Sequence, residues 1–283
     1  KRTISNFSAM RCAISNARNS GMVLEPELEN ALGTVDVVGI SAQYTERYMN
    51  LLLPTSCIGC REFQTATICQ KCRKRLKDSQ INRCAQCALP IAPHEKNPLC
   101  TGCLRKRPAF DATLCLDSYG GFLTETIHSY KYQHQIAMAH GLFDAWFDIH
   151  PKELKKDQSV DVILPIPMSQ EKLHRRGFNQ SWELCKLFSK KLKIKSNWKV
   201  LKRIHIEGDQ VSASKQERAH RLNNVFFINP NNIDLIKNKN IVLIDDVMTT
   251  GATLSVIAQL LKDFGAQSVH NWVILRTPKK SSC

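Results

Sequence analysis

The chain has 283 residues, of which 43% are hydrophobic and 23% are charged, a composition typical of a folded globular protein. Its 40 basic and 25 acidic side chains give a formal net charge of +15, which favours anionic ligands such as phosphates or nucleic acid. No apolar run approaches the roughly 18–20 residues that cross a bilayer, and no signal-peptide pattern is visible. We therefore expect a cytoplasmic protein without membrane insertion.

Residues 1–48 show little sign of regular structure. Ser, Asn and Ala are common there, hydrophobic periodicity is weak, and Pro26 and Gly33 would interrupt a helix. Met49 begins a segment that resembles a natural start of the cysteine-rich module that follows. We expect residues 1–48 to be a poorly ordered N-terminal extension or the result of a translation start assigned too far upstream.

Residues 49–107 form a cysteine-rich module. Eight of the twelve cysteines of the chain lie here in four Cys-x-x-Cys pairs: Cys57/Cys60, Cys69/Cys72, Cys84/Cys87 and Cys100/Cys103. This gap presents two sulfurs to one ion, and four thiolates are the ligand set of structural zinc, with no open position for catalysis. The pattern predicts one or two zinc ions. It leaves open whether neighbouring pairs combine in sequence, interleave, or share one metal.

Two further properties of the module bear on its role. It has few large apolar residues, so each zinc would supply folding free energy on the order of 10 kcal/mol. A redox function of the pairs is disfavoured, because four copies cluster outside any βαβ unit. Basic runs at 71–75 and 105–107 could contact nucleic-acid phosphates or form an ordinary solvated face, and with Phe63 as the only aromatic residue, base stacking is poorly supported.

From residue 108 to residue 283 the pattern alternates between strands and helices. Strands are predicted at 112–119, 160–165, 241–244 and 269–275, and helices at 123–147 (one or two), 178–192 and 253–264. The expected buried positions are Leu123, Ile127, Tyr130, Leu142, Phe143 and Trp146 in the first helical stretch, and Phe178, Trp182, Cys185 and Leu192 in the second. Such alternation predicts an α/β fold with a parallel sheet that helices cover on both faces.

The segment from Ile241 to Thr253 carries the strongest functional signal. A short apolar strand leads into Asp245 and Asp246, and a small-residue turn and a helix start follow, with the residues Thr249, Thr250, Gly251, Ala252 and Thr253. Free N–H groups of the turn and of the helix N-terminus favour a phosphate, and two carboxylates can accept hydrogen bonds from a sugar diol. A simple turn with a helix cap is the alternative. A Walker B strand is excluded, because no Gly-x-x-x-x-Gly-Lys-Ser/Thr loop exists.

A second loop is expected at the same edge of the sheet. The strand that begins near Asp161 runs into Ile166, Pro167, Met168 and Ser169, and Arg175 and Arg176 follow. Ligands of parallel sheets bind at the carboxyl ends of the strands, and a diphosphate suits backbone N–H groups and guanidinium forks. Taken alone, the two prolines could equally form an ordinary turn.

The segment 241–253 resembles the 5-phosphoribosyl-1-pyrophosphate (PRPP) loop of the type I phosphoribosyltransferases. The resemblance implies that Asp245 and Asp246 hold the ribose hydroxyls and that residues 249–253 bind the 5-phosphate. It assigns pyrophosphate to residues 166–169, with help from Arg176. Because PRPP is a polyanion, Mg²⁺ is expected to accompany it. The acceptor of the phosphoribosyl group stays unnamed, since no base-recognition motif is visible.

Further strings narrow the resemblance. They are Pro-Ile-Pro at 165–167 with Arg-Arg-Gly-Phe-Asn-Gln at 175–180, His-Ser-Tyr-Lys-Tyr at 128–132, and Gln210, Glu217-Arg218 and Asn224-Val225-Phe226. From about residue 50 to the C terminus the chain resembles the ComF family (GntX/ComF-type competence proteins). This family joins a small zinc-ribbon-like module to a phosphoribosyltransferase-like domain and is linked to competence and the use of external DNA.

Two functions follow from the resemblance. One is a phosphoribosyltransferase, and the other is a non-catalytic protein that senses PRPP or handles single-stranded DNA with the competence machinery. The polar segment 203–224, with Arg203, Gln210, Lys215, Arg218 and Arg221, would close over a charged substrate or would be an ordinary surface loop.

Overall fold

The computed structural model describes residues 55–64, 66–92, 96–133, 135–151, 160–204 and 225–279. The predictions for residues 1–48 and for nearly all of the polar segment 203–224 lie outside these described residues. The chain divides into two compact units, and the first contains residues 1–56 and 63–66. Its described part is an antiparallel pair of strands, β1 (Thr55–Ser56) and β2 (Phe63–Gln64). All the paired cysteines and the main sheet belong to the second unit.

A five-stranded parallel sheet organises the second unit. Its strands are β3 (Ala112–Ser118), β4 (Val162–Pro165), β5 (Lys195–Ser196), β8 (Asn240–Met248) and β9 (Ser268–Arg276), in the order β3-β9-β8-β4-β5. A separate antiparallel pair is formed by β6 (Leu201–Arg203) and β7 (Phe226–Ile228). The structure therefore confirms the predicted parallel α/β sheet.

Helices flank the sheet, and each of the three predicted helical stretches is present. The helices are α1 (Gln70–Asp78), α2 (Thr101–Arg105), α3 (Thr124–Tyr132), α4 (Met138–Ile149), α5 (Gln170–Arg176), α6 (Gln180–Leu192) and α7 (Ala252–Asp263), with a 3-10 helix at Pro230–Leu235. None of the helices in the described ranges is long and apolar enough to cross a bilayer.

The predicted buried positions of the first helical stretch are all buried, in α3, in α4 and just before α3. In α6 the prediction is partly confirmed. Phe178 and Cys185 are buried, whereas Trp182 and Leu192 are only partly so. The buried stripe of this helix instead follows helical spacing along Ser181, Leu184, Cys185 and Phe188.

Each face of the sheet carries its own hydrophobic core, because alternate side chains of a strand point to opposite faces. On β8, Val242 and Ile244 join the core that α3, α4 and α6 cover, while Ile241 and Leu243 join the core beneath α7. The cysteine module contributes to both cores. The first core includes Cys57 and Cys72, and the second includes Cys84, Cys87, Cys100 and Cys103.

Side chains of the cysteine module also hydrogen-bond to β3, the outermost strand on its side of the sheet. Gln80 Nε2 donates to the Leu116 carbonyl at 2.8 Å, and Arg83 Nη2 donates to Ser118 Oγ at 3.3 Å. Gln86 Nε2 donates to the Phe110 carbonyl at 3.0 Å, just before the strand. Because an uncovered edge strand leaves backbone groups unpaired, the module protects this edge, with contacts from just before β3 to its last residue.

Candidate functional site

The two acidic residues lie within β8, which continues to Met248, rather than beyond its end. Asp246 is 7% exposed, and its Oδ1 is 2.8 Å from Lys131 Nζ at the end of α3. Asp245 Oδ1 accepts hydrogen bonds from Ser181 Oγ at 3.2 Å and from the Asp246 N–H at 2.9 Å. Residues from two helices therefore fix the orientation of both carboxylates at the carboxyl end of a central strand.

The environment of Asp245 disfavours its ionised form. Burial and the negative charge of Asp246 raise the pKa of Asp245 to about 7, although Lys131 and the Ser181 hydroxyl act in the opposite direction. Burial also raises the pKa of the nearby Tyr130 hydroxyl, which donates to the Gln180 carbonyl at 2.8 Å. The two adjacent carboxylates have one cation, Lys131, close to them. Additional hydrogen-bond donors, such as the hydroxyl groups of a ligand, would stabilise their ionised forms.

The predicted phosphate loop, residues 249–253, joins β8 to α7. Gly251 is the N-cap of α7 with φ +80°, a left-handed conformation that a residue with a Cβ adopts only with strain. The loop therefore requires glycine at this point. The first turn of α7 contains no acidic residue, and the Gly251 cap offers no side-chain acceptor. The Thr250 hydroxyl accepts from the Ala252 N–H at 3.2 Å. The other amides at this helix N-terminus suit an anion.

The predicted pyrophosphate loop, residues 166–169, follows β4. The Ile166 N–H donates to the Ile244 carbonyl at 3.1 Å, and proline has no N–H, so Ile166 and Pro167 cannot offer amides to a diphosphate. Met168 and Ser169 remain as the amide donors of this loop. Ser169 caps α5 by accepting from the Lys172 N–H at 3.4 Å. The Arg176 guanidinium donates to Gln180 Oε1 at 3.2 Å and to Tyr132 Oη at 3.3 Å.

Three residues that position the site were not among the predicted site residues: Lys131, Asn179 and Ser181. Asn179 Nδ2 donates to the Ile166 carbonyl at 3.0 Å, while its Oδ1 caps α6 by accepting from the Ser181 and Trp182 N–H groups. The N-terminus of α6 thus supports both the loop after β4 and Asp245. A helix-capping asparagine followed by serine was the available signal, and Lys131 belongs to the string at 128–132.

The eight paired cysteines form two groups of four, Cys57/Cys60/Cys69/Cys72 and Cys84/Cys87/Cys100/Cys103, with the sulfur atoms of each group within 4.8 Å of one another. The Cys60 and Cys69 sulfurs are 3.7 Å apart, and those of Cys87 and Cys100 are 3.6 Å apart. Tetrahedral zinc with Zn–S bonds of about 2.3 Å requires sulfur separations of about 3.8 Å. Of the pairings that the sequence leaves open, the structure has the sequential one. We call the two groups the first and second tetrads.

Backbone amides support the tetrads as in metal-binding turns. Cys57 Sγ accepts from the N–H groups of Gly59 and Cys69, both at 3.4 Å, and Cys84 Sγ accepts from the Cys100 N–H at 3.2 Å. Such hydrogen bonds stabilise thiolates and orient them toward a cation. Both sites fit a structural zinc ion.

A cleft of about 1100 Å³ separates the second tetrad from the phosphate loop. Thr249–Ala252, Cys87 and Cys103 line it, and its described lining includes the cations Lys106, Arg107, Arg276 and Lys279 but no acidic residue. The basic run at 105–107 therefore contributes two of its members to this cleft, which is suited to anions.

Comparison with known proteins gives matches along most of the chain. A phosphoribosyl transferase domain model matches residues 189–282, and a double zinc ribbon domain model matches residues 48–104. The chain is 32% identical over 213 residues to the DNA utilization protein YhgH of Escherichia coli K12, which covers 74% of this chain and 90% of that protein. It is 27% identical over 231 residues to Competence protein F of Haemophilus influenzae, over 78% of this chain and 96% of that protein.

Among solved structures, an adenine phosphoribosyltransferase is 16% identical and covers 52% of this chain and 73% of its own, with a TM-score of 0.34. The similarity to YhgH covers nine-tenths of the YhgH sequence. The two domain models match the cysteine module and the C-terminal part of the sheet. The chain belongs to the ComF family of competence and DNA-utilization proteins, which combine a double zinc ribbon with a phosphoribosyltransferase-type domain.

Proposed function

We propose that the protein binds PRPP together with Mg²⁺ at the carboxyl edge of the sheet, in the cytoplasm, and transfers or holds its 5-phosphoribosyl group. One observation carries the proposal: an acidic pair on β8 is followed, after two residues, by a loop that leads into a helix whose N-cap residue, Gly251, has no side chain to occupy the helix amides. The first feature suits a sugar diol and the second suits a phosphate. A sugar phosphate contains both groups in one molecule.

Each group of site residues would bind a different part of PRPP. Asp245 and Asp246 would accept hydrogen bonds from the ribose hydroxyls, and the amides of residues 249–253 would hold the 5-phosphate. Met168 and Ser169 would bind the diphosphate, with Arg176 beside them. When bound with the diphosphate, Mg²⁺ would neutralise its charge and prefer carboxylate and hydroxyl oxygens such as this site presents.

A transfer reaction would break the bond between C1 and the pyrophosphate oxygen and leave positive charge on the ribose ring. The amides and Arg176 would stabilise the leaving diphosphate, and the acids would hold the ring in position for the acceptor. The nearby carboxylates would also favour the developing positive charge. These contributions are positioning and electrostatic stabilisation, without a covalent bond to the protein.

A second function is favoured by the cationic cleft beside the phosphate loop. Lys106, Arg107 and Lys279 line it, with no acidic residue among the described residues of its lining, and relatives are named for DNA utilization and competence. In this alternative the protein would bind PRPP as a signal and hold single-stranded DNA through phosphate contacts, without turnover.

Two measurements test the proposal and separate the functions. Titration calorimetry with PRPP and Mg²⁺ should give binding, and ribose 5-phosphate should bind more weakly because it lacks the diphosphate. Pyrophosphate release in the presence of candidate bases or other nucleophiles would establish transfer. PRPP binding without release, together with DNA affinity that falls steeply with salt, would favour the second function. Failure of PRPP to bind zinc-loaded protein would refute both.

A further inference from the structure

Arg276, the last residue of β9, is buried with 3% exposure. Its guanidinium makes hydrogen bonds to backbone carbonyls. Nε donates to Cys87 at 2.8 Å, and Nη1 donates to Met248 at 3.1 Å, to Thr277 at 2.8 Å and to Thr249. A buried cation is costly unless its surroundings satisfy it. Besides the neighbouring Thr277, the accepting carbonyls come from Cys87 of the second tetrad, from Met248 at the end of β8 and from Thr249 of the phosphate loop.

The contacts on the loop side determine the orientation of two peptide groups. In a planar trans peptide, the C=O of one residue and the N–H of the next point in opposite directions. Because the Met248 and Thr249 carbonyls face Arg276, the N–H groups of Thr249 and Thr250 point away from the guanidinium. Arg276 therefore helps to direct the amides on which the proposed phosphate site depends.

The contact on the other side belongs to a metal-binding turn. Cys87 supplies one sulfur of the second tetrad, and the turn around it closes through the Ala88 N–H, which donates to the Cys84 carbonyl at 2.9 Å. A metal held by Cys84 and Cys87 would fix this turn and so the position of the Cys87 carbonyl. Loss of the metal would free the turn and remove one fixed partner of the guanidinium.

The first tetrad has a different connection. The carbonyl of Ile58, between its first two cysteines, accepts from the Thr126 hydroxyl of α3. Among the described residues, no hydrogen bond joins the turns of this tetrad to residues 248–253. The two tetrads are therefore connected differently to the phosphate loop.

We propose that Arg276 is a positioning residue that couples zinc in the second tetrad to ligand binding at the phosphate loop. Each ligand stabilises the arrangement that the other requires, so the coupling is reciprocal: bound PRPP retains the second zinc, and the second zinc strengthens PRPP binding. The inference rests on the proposed function, because it takes PRPP as the ligand of the loop.

The test measures zinc release from the fully loaded chain into a chromogenic chelator, with and without saturating PRPP and Mg²⁺. Bound PRPP should lower the release rate of one zinc equivalent by about fivefold or more, which is in the usual range for coupled sites. The other equivalent should change little. Cys60→Ser alters the exposed cysteine of the first tetrad and should accelerate only the equivalent that PRPP does not retain.

Two arginine variants identify the connection. Arg276→Lys keeps the charge but cannot reach the carbonyls on both sides, so PRPP should no longer slow zinc release. Arg83→Lys is the matched control. Arg83 donates to the Ser79 and Ala88 carbonyls of the same module and to Ser118, but not to the phosphate loop, and PRPP should still slow zinc release in this variant.

The outcomes separate the two proposals. If calorimetry detects PRPP binding to the wild-type protein and neither zinc is retained, or both are retained equally, the coupling through Arg276 is refuted and the proposed function stands. This comparison needs no variant, so a folding defect of Arg276→Lys cannot obscure it. If PRPP does not bind at all, the proposed function and the coupling fall together.

Discussion

At the scale of single residues, Asp245 shows a conflict between stability and function. Its carboxyl lies beside Asp246, and burial with that neighbouring charge raises its pKa to about 7. Near neutral pH, ionising this group therefore costs free energy in the folded chain. Residues that a fold holds at such a cost are common at binding sites, where the ligand supplies the missing partners.

The substitution Asp245→Asn should stabilise the protein at pH 8, by on the order of 1 kcal/mol in a partly solvated site. In the unfolded chain an aspartate titrates near about 4, so between pH 4 and 7 the folded protein binds more protons than the unfolded chain. The stability of the wild type therefore rises as the pH falls from 8 to 5, and the advantage of asparagine should shrink. Urea unfolding at both pH values measures this. A variant less stable than the wild type at pH 8 would contradict the account.

The sequence indicates Asp245 and Asp246 but not the residues that hold them. Their chemistry is visible from a strand, an acidic pair and a small-residue turn that are contiguous in the chain. Lys131 and Ser181 reach the pair only through folding, from helices 115 and 64 positions away. Contacts across such separations leave no local pattern, so single-sequence reasoning could not assign them to the site.

At the scale of elements, the N-terminus of α6 contacts both the loop after β4 and the acidic pair on β8. Asn179 caps the helix and holds the Ile166 carbonyl, and Ser181, two residues later, contacts Asp245. One rigid helix therefore fixes the separation between the loop after β4 and the acids on β8. A ligand that spans both would be sensitive to this separation.

Asn179→Ala should lower stability by about 1 kcal/mol through the lost cap and weaken pyrophosphate binding severalfold, because the loop after β4 loses a support. Asn229→Ala is the matched control, since Asn229 caps the 3-10 helix by accepting from the Asn231 N–H at 3.1 Å. It should reduce stability but leave pyrophosphate affinity unchanged. Pyrophosphate titrations of both variants that show equal losses would argue against a specific role for α6.

The predictability of the elements follows their burial. Ile241–Ile244 reads as a strand because these residues are buried in the centre of a parallel sheet. The strand continues through Asp245 and Asp246 to Met248. Hydrophobicity alone could not predict this part of the strand, because the two acids are polar. Helix α5 has no buried residue and is defined by its Ser169 cap and by Gly177 at φ +73°. An apolar period could not reveal it.

At the scale of the whole molecule, the two tetrads contribute to the cores on opposite faces of one sheet. The first lies in the core that contains Trp146 and Trp272, whose rings are 5.0 Å apart. The sequence predicts the metal ligands from their spacing. It contains no signal for this distribution, because the few apolar residues of the module suggest a unit held together by metal alone.

Removing zinc with a strong chelator should therefore destabilise the sheet itself. Thermal unfolding followed by tryptophan fluorescence should shift downward by on the order of 10 °C or more, given the free energy of structural zinc sites. Adding back excess zinc should restore the transition. If the tryptophan transition did not change while the cysteines became reactive, the module would be independent of the sheet.

The central claim is that the acidic pair on β8 binds the ribose of PRPP, and the most direct measurement is PRPP affinity in the double variant Asp245→Asn/Asp246→Asn. Binding should be lost while the zinc content stays that of the wild type. Asp111→Asn/Asp161→Asn is the matched control, because it makes the same charge change just before β3 and β4, at the opposite edge of the sheet, and it should still bind PRPP. Unchanged PRPP affinity in the Asp245/Asp246 variant would contradict the account.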